Sequence, residues 1–277
     1  MLIAQISDFH IRPAGQMAYA GLDTNAMARR AVATVAALDP APDCVLVTGD
    51  LADCGRAEEY ELVAEILSAL PMPVFVIPGN HDRRETMRDV LAPAYPYLRQ
   101  AGDFLHYAID DFPVRLIGLD TVLPGEDGGA ICAARAAWFG ARIAEGDGRP
   151  TLVFMHHPPF KVGVAGMDIM MCQVDESFTA LVRDHAEIER VTCGHYHRPI
   201  VTRWAGTVGM VAPGVAHQVA LDLRPGQPNR FIMEPPGFAL HSWSPETGLI
   251  SHMAPIGDFG PSRDFVLDAE YPGKNDQ

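Results

Sequence analysis

Five short polar clusters in this 277-residue chain carry side chains that can bind a metal ion or move a proton. They are Asp8 with His10, Asp50 alone, Asn80 with His81 and Asp82, His156 with His157, and His195 with His197. Singly, each pattern is weak: Asp-x-His arises by chance, Gly-Asp is a common turn, and an isolated histidine is usually an ordinary residue. Together they are specific, because each cluster directly follows an apolar, β-favouring run. Chance would rarely put ligand-type side chains at the ends of five such runs.

The donor set is imidazole, carboxylate and one amide carbonyl, from Asp8, His10, Asp50, Asn80, His156, His195 and His197. Oxygen donors alone would suit magnesium or calcium; imidazole mixed with carboxylate suits Zn, Fe, Mn or Co. Seven candidates exceed what one tetrahedral ion needs. Two ions sharing a carboxylate account for the number, and Asp50, the only ligand on its strand, is the natural bridge. A pair of ions ~3.5–4 Å apart stabilises the attacking and leaving oxygens of an in-line displacement at phosphorus and lowers the pKa of water toward roughly 7. The expected chemistry is therefore hydrolysis of a phosphoester, with Asp50 and Asn80 in the catalytic centre.

His81 need not be a ligand. Its place beside Asn80 suits a hydrogen bond to a substrate phosphoryl oxygen or proton donation to the leaving oxygen, and equally a supporting role that orients Asn80. Asp82 reads as a turn or supporting residue. His157 either supports the shell or points elsewhere. His217, after Pro213-Gly214, either lines a substrate site or is an ordinary loop residue, whereas His106, His185, His241 and His252 read as ordinary.

Strands are expected at Leu2–Ser7, Cys44–Thr48, Val74–Ile77, Thr151–Met155 and Arg190–Cys193, with a hairpin over Leu105–Ile109 and Val114–Asp120. The runs lack polar alternation, as strands buried on both faces do. Pro78-Gly79 ends the third, since proline cannot donate to a ladder and glycine permits the turn. Helices are expected over about 25–38, capped by Asp23 or Thr24, over about 57–70 and 133–144, and after Asp175. Residues 83–101 read as helix broken by Pro93 and Pro96, and 160–174 as a mobile loop. Beyond residue 200 only strands follow, at Ile200–Trp204, Thr207–Val211, Phe238–Trp243 and Gly248–His252, with 224–237 a loop. The alternation followed by strands predicts an α/β fold whose mostly parallel sheet passes into antiparallel structure. Ligand side chains at strand tips are where open α/β sheets bind.

The formal charge of −14, with 21 Lys and Arg, disfavours duplex nucleic acid as a partner, because binding it needs cations along the phosphates. A small phosphate ester is compatible, because bound cations invert the local sign. No apolar run approaches the ~20 residues of a membrane span. The start, Met-Leu-Ile-Ala-Gln-Ile-Ser, lacks a basic leader, so the expectation is a cytoplasmic protein without a membrane partner. The five cysteines form no Cys-x-x-Cys pair, which argues against a thiolate zinc site.

Asp8-Phe9-His10, the block Gly49-Asp50 through Gly55, Gly79-Asn80-His81-Asp82, His156-His157 and Gly194-His195-Tyr196-His197 together resemble the five signature blocks of the calcineurin-like metallophosphoesterases. Within them the chain resembles the bacterial class III cyclic-nucleotide phosphodiesterases and related glycerophosphodiesterases, through Asp23-Thr24-Asn25-Ala26, the stretch from Cys54 to Tyr60, His156-His157-Pro158-Pro159, and Pro213 through Gln218. The resemblance implies a four-layer α/β/β/α sandwich with a small C-terminal antiparallel β cap. It assigns Asp8, His10, Asp50 and His197 to one ion and Asp50, Asn80, His156 and His195 to the other. Residues 1–200 would form the core and 201–277 the completing strands, cap and tail of one continuous domain. The resemblance also implies that the C-terminal β-region and the loop after His157 form a cap that helps assemble a homo-oligomer, a dimer or higher. The expected activity is hydrolysis of a small phosphodiester, a cyclic nucleotide or glycerophosphodiester, by hydroxide attack at phosphorus, with His81 and His217 meeting the substrate. The alternatives are a phosphomonoesterase or exonuclease of the same superfamily, and a non-catalytic scaffold, which the complete ligand set disfavours.

Overall fold

The computed structural model describes all residues except 20, 101, 267, 269 and 273–277. In chain order the elements are β1 (Leu2–Ile6), α1 (Thr24–Ala36), β2 (Cys44–Thr48), α2 (Ala57–Leu67), β3 (Val74–Ile77), α3 (Arg84–Leu91), β4 (Tyr107–Ile109), β5 (Arg115–Leu119) and β6 (Gly129–Ile131). There follow α4 (Ala133–Ala144), β7 (Thr151–Met155), α5 (Ala165–Asp168), β8 (Cys172–Val174), α6 (Glu176–Asp184), β9 (Ile188–Cys193), β10 (Ile200–Trp204) and β11 (Thr207–Val211). The chain closes with β12 (Gln218–Val219), β13 (Phe231–Ile232), β14 (Gly237–Ser244) and β15 (Gly248–Pro255).

Two sheets pack face to face. The first has the order β15-β14-β1-β2-β3 and the second β10-β11-β9-β7-β5-β4. Strands β1, β2 and β3 run parallel, as do β5, β7, β9 and β11. Strands β14 and β15 complete the first sheet antiparallel, and β4 and β10 form antiparallel edges of the second. The unbroken apolar runs are explained by burial on both faces. In β7, Leu152 and Phe154 face the core shared with the first sheet, whereas Val153 and Met155 face the core under α4 and α6. Helices α1, α2 and α3 cover the outer face of the first sheet through Val32, Val35, Tyr60, Val63, Met87 and Leu91. The result is the expected α/β/β/α sandwich. Asp23 caps α1 by accepting from Ala26 N at 2.9 Å, and Asp175 caps α6 by accepting from Ser177 N at 2.9 Å.

The sheets are pinned by a buried polar knot at Gln5. Its amide donates to Thr48 Oγ1 and to Cys193 O, both at 3.0 Å, and its carbonyl accepts from Thr192 Oγ1 at 2.6 Å and from His241 Nε2 at 3.1 Å. With Nε2 committed as donor, His241 Nδ1 accepts from Ser251 Oγ. Burial, reinforced by the charge of Arg190, pushes the pKa of His241 down to about 3. An unfolded histidine titrates near ~6.5, so between there and about 3 the unfolded chain binds the extra proton and stability falls as pH falls. From this residue alone, the loss between pH 7 and pH 5 is expected to be about 2 kcal/mol. His241→Gln should remove most of that increment. Urea unfolding of metal-free protein at both pH values checks this; equal acid sensitivity in the variant would refute it.

Two expectations are corrected. Residues 160–174 are not a featureless mobile loop: they contain α5 and β8, and β8 pairs parallel with β6. Asp168 caps the turn before α5 by accepting from Val162 N and Gly163 N at 2.7 and 3.0 Å. Residues 224–237 are likewise not wholly loop, because Phe231–Ile232 pairs antiparallel with Gln218–Val219. Strands of two or three residues carry no periodicity, and neither pair is joined by a tight hairpin turn, so neither pairing leaves a local signal. Among the described residues of 83–101, only α3 and a 3₁₀ turn at Pro96–Arg99 are regular, as the prolines predicted. Among the described residues no helix is long and apolar enough to cross a membrane.

Candidate dinuclear metal centre

The strand tips are stitched together by main-chain bonds before any side chain acts. Asp8 N donates to Gly49 O at 3.1 Å, His10 N to Asp50 O at 2.9 Å, and Gly194 N to His156 O at 3.1 Å. Five of the seven sequence-predicted ligands sit in left-handed backbone: Asp8 (φ 62°), His10 (48°), Asp50 (50°), His195 (67°) and His197 (47°). That region is uncommon for non-glycine residues and costs of order 1–3 kcal/mol each, so the fold spends stability to aim these groups. Close approach has the same source. A Cβ on Gly79 would lie 2.2 Å from Asp50 Oδ1 and 2.4 Å from Asp50 N, so only glycine lets the third tip reach the second.

The seven residues are brought together. Asp50 Oδ1 accepts from His81 N at 2.9 Å, and its Oδ2 lies 3.7 Å from His10 Nε2 and 3.4 Å from His156 Nε2. One carboxylate oxygen thus faces both halves of the cluster. On one side His197 Nε2 is 3.2 Å from Asp8 Oδ1 and 3.3 Å from His10 Nε2. On the other, His156 Nε2 is 3.2 Å from Asn80 Oδ1, and the His195 and His156 ring centroids are 5.1 Å apart. All except Asn80 are buried.

Hydrogen bonding fixes which ring nitrogen is free. His156 Nδ1 donates to Thr48 O at 2.7 Å and His197 Nδ1 donates to His217 O at 3.0 Å. Their Nε2 atoms then face carboxylate and carbonyl oxygens, an arrangement that repels unless a proton or cation lies between. With a proton there, burial opposes the charged form of His156, but Asp50 prevails and lifts its pKa to about 9. Burial lowers His195 to about 3, with the charge of His156 adding to it. Among the described residues, the buried Asp8 Oδ2 and His195 Nε2 have no hydrogen-bond partner. Buried polar atoms without partners are rare and costly, and metal ligation would satisfy both. The donor set therefore fits two transition-metal ions.

The flanking residues sort clearly. His81 is partly exposed; its Nδ1 donates to Asp53 O at 2.8 Å, which leaves Nε2 free. Burial disfavours its charged form, but the charge of Asp50 outweighs this and raises its pKa. Asp82 is the turn residue expected, accepting from Gly79 N, Leu51 N, Ala52 N and Tyr60 Oη at 2.8–3.1 Å. His157 bonds Thr121 Oγ1 at 2.7 Å and packs its ring 4.6 Å from that of His195. His217 is buried at the rim, 4.5 Å between ring centroids from both His197 and Tyr19, and burial lowers its pKa to about 2. Sequence reasoning missed Asp53, whose carboxylate lies among His10, His81 and Arg12, and Tyr19, whose hydroxyl is 3.1 Å from His10 Nδ1. Asp53 stood in view three residues after Asp50 within a signature block; Tyr19 left no signal.

Two cavities meet at the centre. One, of about 290 Å³, is lined by His10, His195, His197 and His217 with Tyr19, Met167, Met170 and Phe231. The other, of about 500 Å³, extends past Cys54, Arg83, Arg84, Glu126 and Asp127. Asn80, His81 and Asp127 line both.

Fold and site together define a phosphoester hydrolase of the dinuclear-metal class. Residues 1–199 match the model of the calcineurin-like phosphoesterases, and the chain belongs to that family. It is 36% identical over 263 residues to the probable glycerophosphodiester phosphodiesterase of Arcobacter nitrofigilis, spanning 94% of this chain and 96% of that one. It is 34% identical over 228 residues to a probable cyclic nucleotide phosphodiesterase of Rhodopseudomonas palustris, spanning 80% and 81%. A dimetal phosphatase from Danio rerio shares the fold, with a TM-score of 0.63 at 16% identity, covering 93% of this chain and 99% of that one.

Proposed function

We propose that the protein is a metal-dependent phosphodiesterase acting on small phosphodiesters, with one ion held by Asp8, His10, Asp50 and His197 and the other by Asp50, Asn80, His156 and His195. The observation that carries this reading is Asp50 Oδ2, facing a histidine nitrogen of each half-site at 3.7 and 3.4 Å. The unpartnered Asp8 Oδ2 and His195 Nε2 support it. Bound there, Mn, Fe, Zn or Co ions supply Lewis-acid stabilisation of charge at phosphorus and an acidified water.

The chain's own residues then bind and orient the ester. His81 Nε2 is the free nitrogen that meets a phosphoryl or leaving oxygen, because Nδ1 is held by the Asp53 carbonyl. The neutral His217 and the rings of Tyr19 and Phe231 form the wall of the smaller cavity. Two cavities that share Asn80, His81 and Asp127 in their walls suit two different ester arms leaving one phosphorus, which favours a diester over a monoester. The two relatives are named as a probable glycerophosphodiester phosphodiesterase and a probable cyclic nucleotide phosphodiesterase, and a charge of −14 disfavours long polyanions such as an exonuclease substrate.

The test is a turnover panel on metal-reconstituted protein: glycerophosphodiesters, cyclic nucleotides, an aryl diester and the matching aryl monoester. The expected result is uptake of two ions per chain and a kcat/KM for at least one diester about 10-fold or more above the monoester. Turnover of the monoester alone would refute the diester reading, and failure to bind two ions under any condition would refute the dinuclear one.

A further inference from the structure

Resting on the metal assignment above, we infer that Asp53 is a positioning residue that sets the ring of His10 and thereby controls the affinity of the ion held by Asp8, His10, Asp50 and His197, with little effect on the other ion. His10 Nδ1 has two neighbours, the Tyr19 hydroxyl at 3.1 Å and Asp53 Oδ1 at 3.3 Å, and of the two Asp53 is the carboxylate that a proton on Nδ1 favours. A proton on Nδ1 aimed at a carboxylate leaves the Nε2 lone pair pointing inward, where it faces Asp50 and His197. Metal-ligating histidines commonly have their second nitrogen fixed this way, and the carboxylate makes the imidazole a better donor. Of the four imidazoles assigned as ligands, His10 has a carboxylate at its outer nitrogen. His156 and His197 use main-chain carbonyls instead, Thr48 O and His217 O. The bias therefore falls on one ion.

Asp53 is itself held in place. Its Oδ2 accepts from Arg12 at 3.0 Å, and the same guanidinium lies 3.6 Å from the buried Glu59. Glu59 Oε2 accepts from Cys54 N and Arg56 N, both at 3.0 Å, and so fixes the loop that carries Asp53. The carboxylate is positioned from both its side-chain and its main-chain ends. His81 is oriented chiefly by the main-chain carbonyl of the same residue, which substitution leaves in place.

The experiment titrates wild-type, Asp53→Asn and Arg12→Gln proteins with Mn²⁺ and with Zn²⁺ against a chromophoric chelator, resolving the two binding steps. Metal-free melting is recorded in parallel. Asp53→Asn, nearly isosteric but uncharged, is expected to weaken one step by roughly 10–100-fold and to leave the other within about threefold. Arg12→Gln should weaken the same step by a smaller factor. Equal weakening of both steps, or a metal-free melting temperature that falls in proportion, would assign Asp53 a general structural role and overturn the inference. Two steps unchanged in both variants would overturn it as well. Wild-type protein that binds no ions would instead defeat the metal assignment, so the two failures are distinguishable.

Discussion

Asp50→Ala is expected to lower phosphodiester turnover by roughly 10³-fold or more and to reduce bound metal from two ions toward one or none. The expectation follows from position. Asp50 Oδ2 is the oxygen common to the His10 and His156 sides, and Oδ1 holds the backbone of His81 at 2.9 Å. Removing the carboxylate leaves two buried half-sites with no shared anion. The charge repulsion between two ions would then be offset only by the other ligands. Asn80→Ala supplies the graded comparison, because it removes one neutral oxygen, 3.2 Å from His156 Nε2, and touches only the second half-site. It should weaken that ion selectively while the first stays bound. Elemental analysis beside kcat checks both variants. Near-normal turnover in Asp50→Ala, or loss of the ion on the Asp8 side in Asn80→Ala, would overturn the shared-ligand assignment.

The second large effect is expected at His81. His81→Ala should retain two ions, since the ring is partly exposed and makes its direct bond through Nδ1 to Asp53 O rather than to a ligand. Its turnover should nevertheless fall by about 10²–10⁴-fold, the range for a positioned proton-transfer group. The distribution of that loss over substrates separates two roles. Proton donation to the departing oxygen slows poor alkyl leaving groups far more than aryl ones. A phosphate-orienting role slows all alike. Kinetics on a leaving-group series with metal content measured in parallel decides between them, and an unchanged kcat throughout would remove His81 from the chemistry.

Much of this was legible before any coordinates. The apolar runs ending in Asp8, Asp50, Asn80, His156 and His195 name the strands, because a strand buried on both faces must be continuous in apolar residues. The same runs name the candidate ligands, because the polar residues follow at once in sequence. Strands β14 and β15 were also visible, as a hairpin joined by a short turn. What escaped was the pairing of β6 with β8 and of β12 with β13, where elements of two or three residues owe their existence to a partner not joined to them by a tight turn.

The sequence by itself determined the candidate donor types and their number, and hence the expectation of a mixed imidazole–carboxylate centre with Asp50 as the proposed shared ligand. These properties belong to residues adjacent in the chain. Only the tertiary structure decided which ring nitrogen of His156 and His197 is free, since Thr48 O and His217 O make that choice across long sequence separations. It alone put five candidate ligands in left-handed backbone, set Asp53 against His10, and opened two cavities that both reach His81. Each of these depends on contacts between strand tips that meet only when both sheets have formed, and no local pattern encodes a contact of that kind.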